Sequence, residues 1–139
     1  MSGLAFFDTD ILLYADDASA LEKQDRAIRL ITDHQRRSSL VISLQVMQEY
    51  YAAATRKLGV DAELAQRKVE LLARGRVVRL AEADVVAAIE LHRLTGIAFW
   101  DSLIAHAARL AGATVLFSED FQHGRVIAGI RVANPFLTA

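Results

Sequence analysis

Three absences limit what this 139-residue chain can be. It has no cysteine, which excludes disulfides, cysteine-based zinc sites and a thiol nucleophile, and which fits a reducing compartment. No apolar run approaches the roughly 18 residues that cross a bilayer, and Asp8 comes too early for a secretory signal. We therefore expect a cytoplasmic protein without a membrane segment.

Neither sign of charge dominates, because 16 basic and 17 acidic residues leave a net charge of −1. The average charge therefore says little about the partners of the protein, and it can conceal a carboxylate cluster ringed by arginine and lysine. The 53% hydrophobic content excludes a disordered tail protein. Since the chain has no linker, repeat or low-complexity segment, its length predicts a single domain over residues 1–139.

Short apolar segments alternate with longer amphipathic ones. Strands are predicted at residues 4–8, 40–43, 77–80 and 114–117, and residues 130–132 could add a fifth. Helices are predicted at 19–37, 44–58, 61–73, 82–95 and 100–111, after a short helix that starts at residues 11–15. This alternation predicts an α/β fold, a three-layer α/β/α sandwich around a mainly parallel sheet.

Residues at the helix ends give further local predictions. Thr9 or Asp10 is available as the N-cap of the first helix, and Ser19 as the N-cap of the second. Gly96 follows a predicted helix at the position where a left-handed residue ends it. Trp100 is expected in the core rather than on a base-stacking surface.

Four apolar segments, far apart in sequence, each end on an acidic residue: Asp8, Glu49, Asp101 and Asp120. Two carboxylates about 4 Å apart repel by roughly 4 kcal/mol at an effective dielectric near 20. A fold that gathers all four must therefore bind protons or a cation. Oxygen-only ligands suit Mg²⁺ or Mn²⁺, and Mg²⁺ bound in this way usually meets phosphates. The pattern thus predicts metal-dependent phosphodiester chemistry.

Each acid also has a purely structural explanation. Asp8 and Asp101 suit the first turn of a helix, where the macrodipole favours negative charge. Glu49 lies off the apolar stripe of its helix, as a solvated side chain does, and Asp120 belongs to a polar loop. Asp10 has a stronger case as a helix cap, so we expect it to play at most a supporting role. No histidine pair has zinc-binding spacing, and His123 is explained as a polar turn residue.

The segments FFDTDILLYA, SLQVMQEYY, IAFWDSLIAHAA and LFSEDFQHGRVIAGIRVANPF together resemble the PIN domain, specifically the VapC-type toxin ribonucleases of bacterial toxin–antitoxin pairs. The resemblance covers essentially the whole chain in the family's order. It implies a PIN-like fold that cleaves RNA with Mg²⁺, forms a homodimer and has a small cognate antitoxin that blocks the acidic groove. Carried over by position, it implies catalytic, metal-binding acids with a hydroxyl in the same pocket: Asp8, Glu49, Asp101, Asp120 and Ser118.

One position departs from the family's pattern. The family usually has Asp-Thr-Asn where this chain has Asp8-Thr9-Asp10. An extra carboxylate there could strengthen metal affinity or simply cap the helix, so the resemblance leaves the role of Asp10 open.

Other readings remain open from the residues alone. A haloacid-dehalogenase-like phosphatase also begins with Asp-x-Asp after a strand, but it needs a later lysine and none follows Lys68. A response-regulator-like phosphoacceptor needs paired acids directly after the first strand, and Asp16-Asp17 come too late. A PIN-like module that binds RNA or protein without catalysis is the third alternative.

Overall fold

The computed structural model describes residues 3–137, so the predicted boundaries at residues 1 and 139 lie outside the described part. Its strands are β1 (Ala5–Phe7), β2 (Leu40–Ser43), β3 (Arg76–Val78), β4 (Val115–Phe117), β5 (Val126–Ile127) and β6 (Ile130–Ala133). Its helices are α1 (Thr9–Tyr14), α2 (Leu21–Arg36), α3 (Leu44–Arg56), α4 (Ala62–Ala73), α5 (Glu82–Thr95) and α6 (Phe99–Leu110).

The strands form one sheet in the order β3-β2-β1-β4-β6-β5. All neighbouring strands are parallel except β5 and β6, which pair antiparallel at one edge. The central strand β1 is fully buried and consists of Ala5, Phe6 and Phe7, as expected for a parallel strand covered on both faces. The predicted α/β fold, with a mainly parallel sheet flanked by helices, is confirmed.

The strand order places a crevice beside β1. From β1 the chain builds β2 and β3 on one side, whereas β4 lies on the other side and pairs Phe117 with Phe7. Ligands in open α/β sheets bind outside the carboxyl ends of the strands at such a switch in strand order. The backbone N–H of Asp8 donates to the Phe117 carbonyl over 3.0 Å, which fixes the two strand ends side by side.

Both predicted N-caps are wrong, for physical reasons visible in the structure. Asp8 caps α1 instead of Thr9 or Asp10, because its carboxylate accepts the Thr9 backbone N–H at 2.8 Å. The second helix begins at Leu21 without a side-chain cap. The Ser19 hydroxyl donates to the Asp17 carboxylate at 2.5 Å in the preceding turn, so it is engaged there rather than at the helix end.

The strand predictions differ at the edges of the sheet. The third strand starts one residue earlier than predicted, and the fifth predicted strand is confirmed as β6. The hairpin strand β5 was missed because two residues carry no periodicity. It turns through Ala128 and Gly129, whose φ values of 53° and 80° lie in the left-handed region.

The prediction that Trp100 lies in the core is wrong, since its side chain is 65% exposed. The buried run of α6 begins only at residue 102, so Trp100 in the first turn lies on the outer side of the helix. Within residues 3–137, no helix combines the length and apolar character required to cross a membrane.

Candidate metal centre

Asp8 is positioned at the junction of β1 and α1 with both carboxylate oxygens engaged. Oδ1 accepts the Thr9 backbone N–H at 2.8 Å, and Oδ2 accepts the Ser118 hydroxyl at 2.8 Å. The residue is only 5% exposed. Burial raises the pKa of its carboxyl to about 6, although the hydrogen bonds from Ser118 and Thr9 oppose this rise.

Ser118 connects two acids through one fully buried hydroxyl. Its Oγ donates to Asp8 and accepts the backbone N–H of Asp120 at 3.1 Å. The loop after β4 is thereby tied to the end of β1. The Ser118 hydroxyl thus lies within hydrogen-bond distance of both the Asp8 carboxylate and the Asp120 backbone.

Asp10 lies in the first turn of α1 and points toward the same crevice. Its Oδ2 accepts the Glu119 backbone N–H at 2.9 Å. Its Oδ1 is buried and has no hydrogen-bond partner within residues 3–137. Burial, followed by the charge of Asp8, raises the pKa of Asp10 to about 8. An unpaired buried oxygen is unusual in a folded protein and requires an explanation.

One carboxylate oxygen from each of Asp8, Asp10 and Asp120 lies within 4.8 Å of the others. We refer to these three residues as the acidic trio. Burial also raises the pKa of Asp120, with further contributions from the charges of Glu119 and Glu49. The ionised form of each carboxyl in the trio is therefore destabilised, and a cation at the centre of the trio would stabilise all three carboxylates.

Glu49 and Asp101 do not join the acidic trio within the described part of the chain. Glu49 is exposed on α3, where Oε1 accepts the Thr9 hydroxyl at 2.7 Å and Oε2 accepts the Gln45 amide at 3.1 Å. Asp101 is half-buried in the first turn of α6. Its pKa is raised by burial and then by the charges of Asp120 and Glu49, so both residues act electrostatically on the same site.

The trio fits a hard divalent cation. Its donors are all carboxylate oxygens, which Mg²⁺ and Mn²⁺ prefer. The unpartnered Asp10 Oδ1 is a buried acceptor that lacks a protein donor, as a metal ligand would. The sequence predicted only a supporting role for Asp10. It could not show that one carboxylate oxygen of Asp10 is buried without a hydrogen-bond partner.

A second layer holds the loop after β4 in place. The Glu119 carboxylate accepts the Tyr14 hydroxyl at 2.7 Å and forms an ion pair with Lys23 of α2. The same residue donates its backbone N–H to Asp10. Sequence reasoning did not find this network, because its members are 96 and 105 residues apart and no local pattern connects them.

Two members of the trio, Asp10 and Asp120, line a cavity of about 560 Å³ beside α3. We call it the α3 groove; it is lined by Thr9, Asp10, Leu13, Glu49, Ala52, Ala53, Arg56, Lys57 and Asp120. Along α3, the carboxylate of Glu49 comes about two helical turns before the cations Arg56 and Lys57. This arrangement suits a phosphodiester, which needs a cation at its reacting phosphorus and positive charge along its backbone.

The family model of the PIN domain matches residues 5–128. This chain belongs to the PIN-domain family. The match covers the β1 junction, the α3 groove and the loop after β4, so every residue of the acidic trio falls within it. The family match also favours the PIN reading over the phosphatase and phosphoacceptor alternatives.

Solved structures support the same fold. The VapC20 toxin of Mycobacterium tuberculosis, described as cleaving the sarcin-ricin loop, matches with 22% identity and a TM-score of 0.66, over 84% of this chain and 91% of its own. The DNA-bound VapBC of Salmonella typhimurium matches with 16% identity and a TM-score of 0.69, over 96% and 98%. VapBC2 of Rickettsia felis, bound to a promoter DNA fragment, matches with 20% identity and a TM-score of 0.68, over 94% and 98%. No curated protein matches the chain.

Proposed function

We propose that this PIN-domain protein is an endoribonuclease that depends on Mg²⁺ or Mn²⁺ and acts as the toxin of a toxin–antitoxin pair. The observation that carries the proposal is the acidic trio, with three strained carboxylates and one buried, unpartnered oxygen at the switch point of a PIN fold. The carboxylates of such a site repel one another unless a proton or a cation neutralises part of their charge.

The acidic trio holds the ion, and its neighbours keep the ligands oriented. Ser118 fixes Asp8 relative to Asp120, and the Glu119 backbone turns Asp10 so that Oδ1 faces inward. When bound, the divalent ion supplies Lewis-acid stabilisation of the phosphate charge and lowers the pKa of water. Glu49 and Asp101 complete the site at its rim, directly or at a second ion.

The reaction is hydrolysis. A water oxygen bonds to phosphorus, the bond from phosphorus to O3′ breaks, and O3′ takes up a proton. Asp101 and Glu49 are the groups outside the trio that can accept the proton of the attacking water at a carboxylate oxygen. The products are a 5′-phosphate and a 3′-hydroxyl, so the ribose 2′-hydroxyl takes no part.

The first test is cleavage of labelled RNA by the parent and by Asp8→Asn and Asp101→Asn, with Mg²⁺ or Mn²⁺. We expect each variant to lose at least about 100-fold in rate, and EDTA to abolish parental cleavage. Asp25→Asn is the matched control, because Asp25 is an exposed acid that pairs with Arg29 on α2. Full activity of either site variant, or products with a 2′,3′-cyclic phosphate, would contradict the mechanism.

Similarity to toxin–antitoxin complexes supports the biological part of the proposal. We expect a homodimer that acts on RNA in the cytoplasm and is inhibited by a small antitoxin encoded beside it. Expression of the parent should arrest growth, and expression of Asp8→Asn should not. Co-expression of the neighbouring small gene should relieve the arrest. Growth unaffected by the parent protein would remove the toxin assignment and leave the nuclease chemistry to be tested separately.

A further inference from the structure

The far end of the α3 groove contains two cations with no assigned role. Arg56 is in the last turn of α3 and Lys57 is its C-cap, and both are exposed. Neither side chain forms a hydrogen bond or ion pair within residues 3–137. Some other basic residues pair with an acid nearby, for example Arg67 with Glu63 and Lys23 with Glu119. The pair in the groove is therefore free to bind an external anion.

The spacing along α3 places these cations on the same side as the acids. Glu49, Ala52, Ala53 and Arg56 follow the i, i+3, i+4, i+7 pattern of one helix face. Seven residues of helix span about 10 Å, which corresponds to about three nucleotides of a stacked single strand. The groove-lining residues that α3 contributes between Glu49 and Arg56 are Ala52 and Ala53, whose methyl side chains occupy little of the groove.

The groove also continues past Lys57. A neighbouring cavity of about 210 Å³ shares Asp10, Leu13, Ala53 and Lys57 with the α3 groove and extends to Tyr14, Asp17, Leu58 and Glu119. Lys57 therefore lines both cavities, and the second cavity also contains the acidic residues Asp17 and Glu119.

We propose that Arg56 and Lys57 bind the backbone phosphates of single-stranded RNA about two to three nucleotides from the scissile phosphate, so that the strand lies along α3. The inference rests on the proposed ribonuclease function and adds the path of the substrate to it. The two residues position the strand and make no contact with the reacting atoms.

The competing explanation is that these cations only stabilise the C-terminus of α3, where positive charge interacts favourably with the helix dipole. Arg74 and Arg93 provide the matched control. Arg74 is the C-cap of α4 and Arg93 lies in the last turn of α5, and neither lines the α3 groove. The pairs Arg56→Gln/Lys57→Gln and Arg74→Gln/Arg93→Gln therefore remove the same charge from equivalent helix positions.

The decisive experiment measures binding of fluorescein-labelled oligo(U) as a function of salt, with Mg²⁺ present and Asp8→Asn in all proteins to prevent cleavage. Each lost phosphate contact reduces the slope of log K against log[salt] by about 0.7 for a single strand. We expect Arg56→Gln/Lys57→Gln to lower the slope by about 1.4 and Arg74→Gln/Arg93→Gln to leave it unchanged. The assignment would be overturned if both double variants changed the slope equally, or if Arg56→Gln/Lys57→Gln left the slope unchanged. Arg56 and Lys57 would then be explained as a binding site for an acidic segment of a partner protein.

A kinetic measurement in the otherwise unmodified protein separates positioning from chemistry. Loss of uniform substrate binding raises KM and leaves kcat alone. We expect Arg56→Gln/Lys57→Gln to raise KM about tenfold, with kcat within about twofold of the parent. A parent that cleaves RNA, together with an unchanged KM in the variant, would refute the path of the strand while the nuclease assignment stands. A parent that cleaves no RNA would refute the nuclease assignment itself.

Discussion

Replacing Asp10 by Asn should make the metal-free protein more stable and should reduce the additional stability that Mg²⁺ gives to the folded protein. Burial and the charge of Asp8 raise the pKa of Asp10 from 3.8 to about 8. Because the folded-state pKa is the higher one, the folded protein binds the proton more tightly than the unfolded chain does. Its stability without metal therefore falls as the pH rises from about 4 to about 8.

The size of the effect follows from the pKa shift. One unit corresponds to about 1.4 kcal/mol, so about four units set an upper limit near 5 kcal/mol at pH 8. We expect about half of this gain in Asp10→Asn, since Asp8 and solvent relieve part of the repulsion in the parent. The amide oxygen can still accept the Glu119 N–H, and the amide NH₂ can donate toward the other two carboxylates of the trio.

Metal binding should change in the opposite direction. An ion at about 100 times its Kd stabilises the folded protein by about 2.7 kcal/mol. A tenfold to hundredfold weaker site at the same Mg²⁺ concentration contributes only about 1.4 to 0.4 kcal/mol. Urea unfolding at pH 8, with EDTA and with Mg²⁺, measures both quantities in the parent, in Asp10→Asn and in the Asp25→Asn control.

Either of two results would contradict these expectations for Asp10. Asp10→Asn could be less stable than the parent in EDTA at pH 8, which would mean that the carboxylate is not strained. Alternatively, it could retain the full Mg²⁺-induced stabilisation, in which case Asp10 does not contact the ion. Asp25→Asn should leave both quantities unchanged, because Asp25 is exposed, pairs with Arg29 on α2 and is not a member of the acidic trio.

Three further outcomes follow from the site and its surroundings. Ser118→Ala removes a fully buried hydroxyl that lowers the pKa of Asp8, so it should reduce the free energy of unfolding in urea by about 1–3 kcal/mol. In calorimetry, it should weaken Mg²⁺ binding more at pH 6 than at pH 8. An unaltered free energy of unfolding would contradict the role of Ser118 as a bridge between Asp8 and Asp120. In thermal melts, Mg²⁺ should raise Tm more at pH 8 than at pH 5, because protons compete for the raised-pKa carboxyls of Asp8 and Asp10; equal shifts would argue against the trio as ligand. Trp100 is the only tryptophan of the chain and is 65% exposed, so acrylamide should quench its fluorescence readily. Trp100→Ala should change the free energy of unfolding by less than about 0.5 kcal/mol. Weak quenching by acrylamide would contradict the exposed position of the indole.

The sequence could predict the fold because its signals are local and strong. Buried parallel strands read as continuous apolar runs, and amphipathic helices follow a period of 3.6 residues. The helix end at Gly96 agrees with prediction, since this glycine has a φ of 77° in the left-handed region. Two-residue β5 and the outward face of Trp100 depend on packing rather than on any local pattern.

The candidate site was predictable only in part, because its chemistry depends on contacts between distant residues. The positions of Asp8 and Asp120 after β1 and β4 could be inferred from the α/β alternation alone. One oxygen of Asp10 has no hydrogen-bond partner, and Lys23 forms an ion pair with Glu119. Both features depend on contacts between residues about 100 positions apart in the sequence. No periodicity encodes such a meeting.

The departure at Asp10 has a consequence for how the whole site is balanced. A neutral amide at this position would leave two closely spaced acids, Asp8 and Asp120, whereas the carboxylate adds a third charge that solvent does not screen well. The added repulsion lowers the stability of the metal-free protein and raises the affinity for a divalent ion, because a bound ion relieves that repulsion. Stability and metal dependence are therefore coupled through one side chain, and a neutral residue at position 10 should uncouple them.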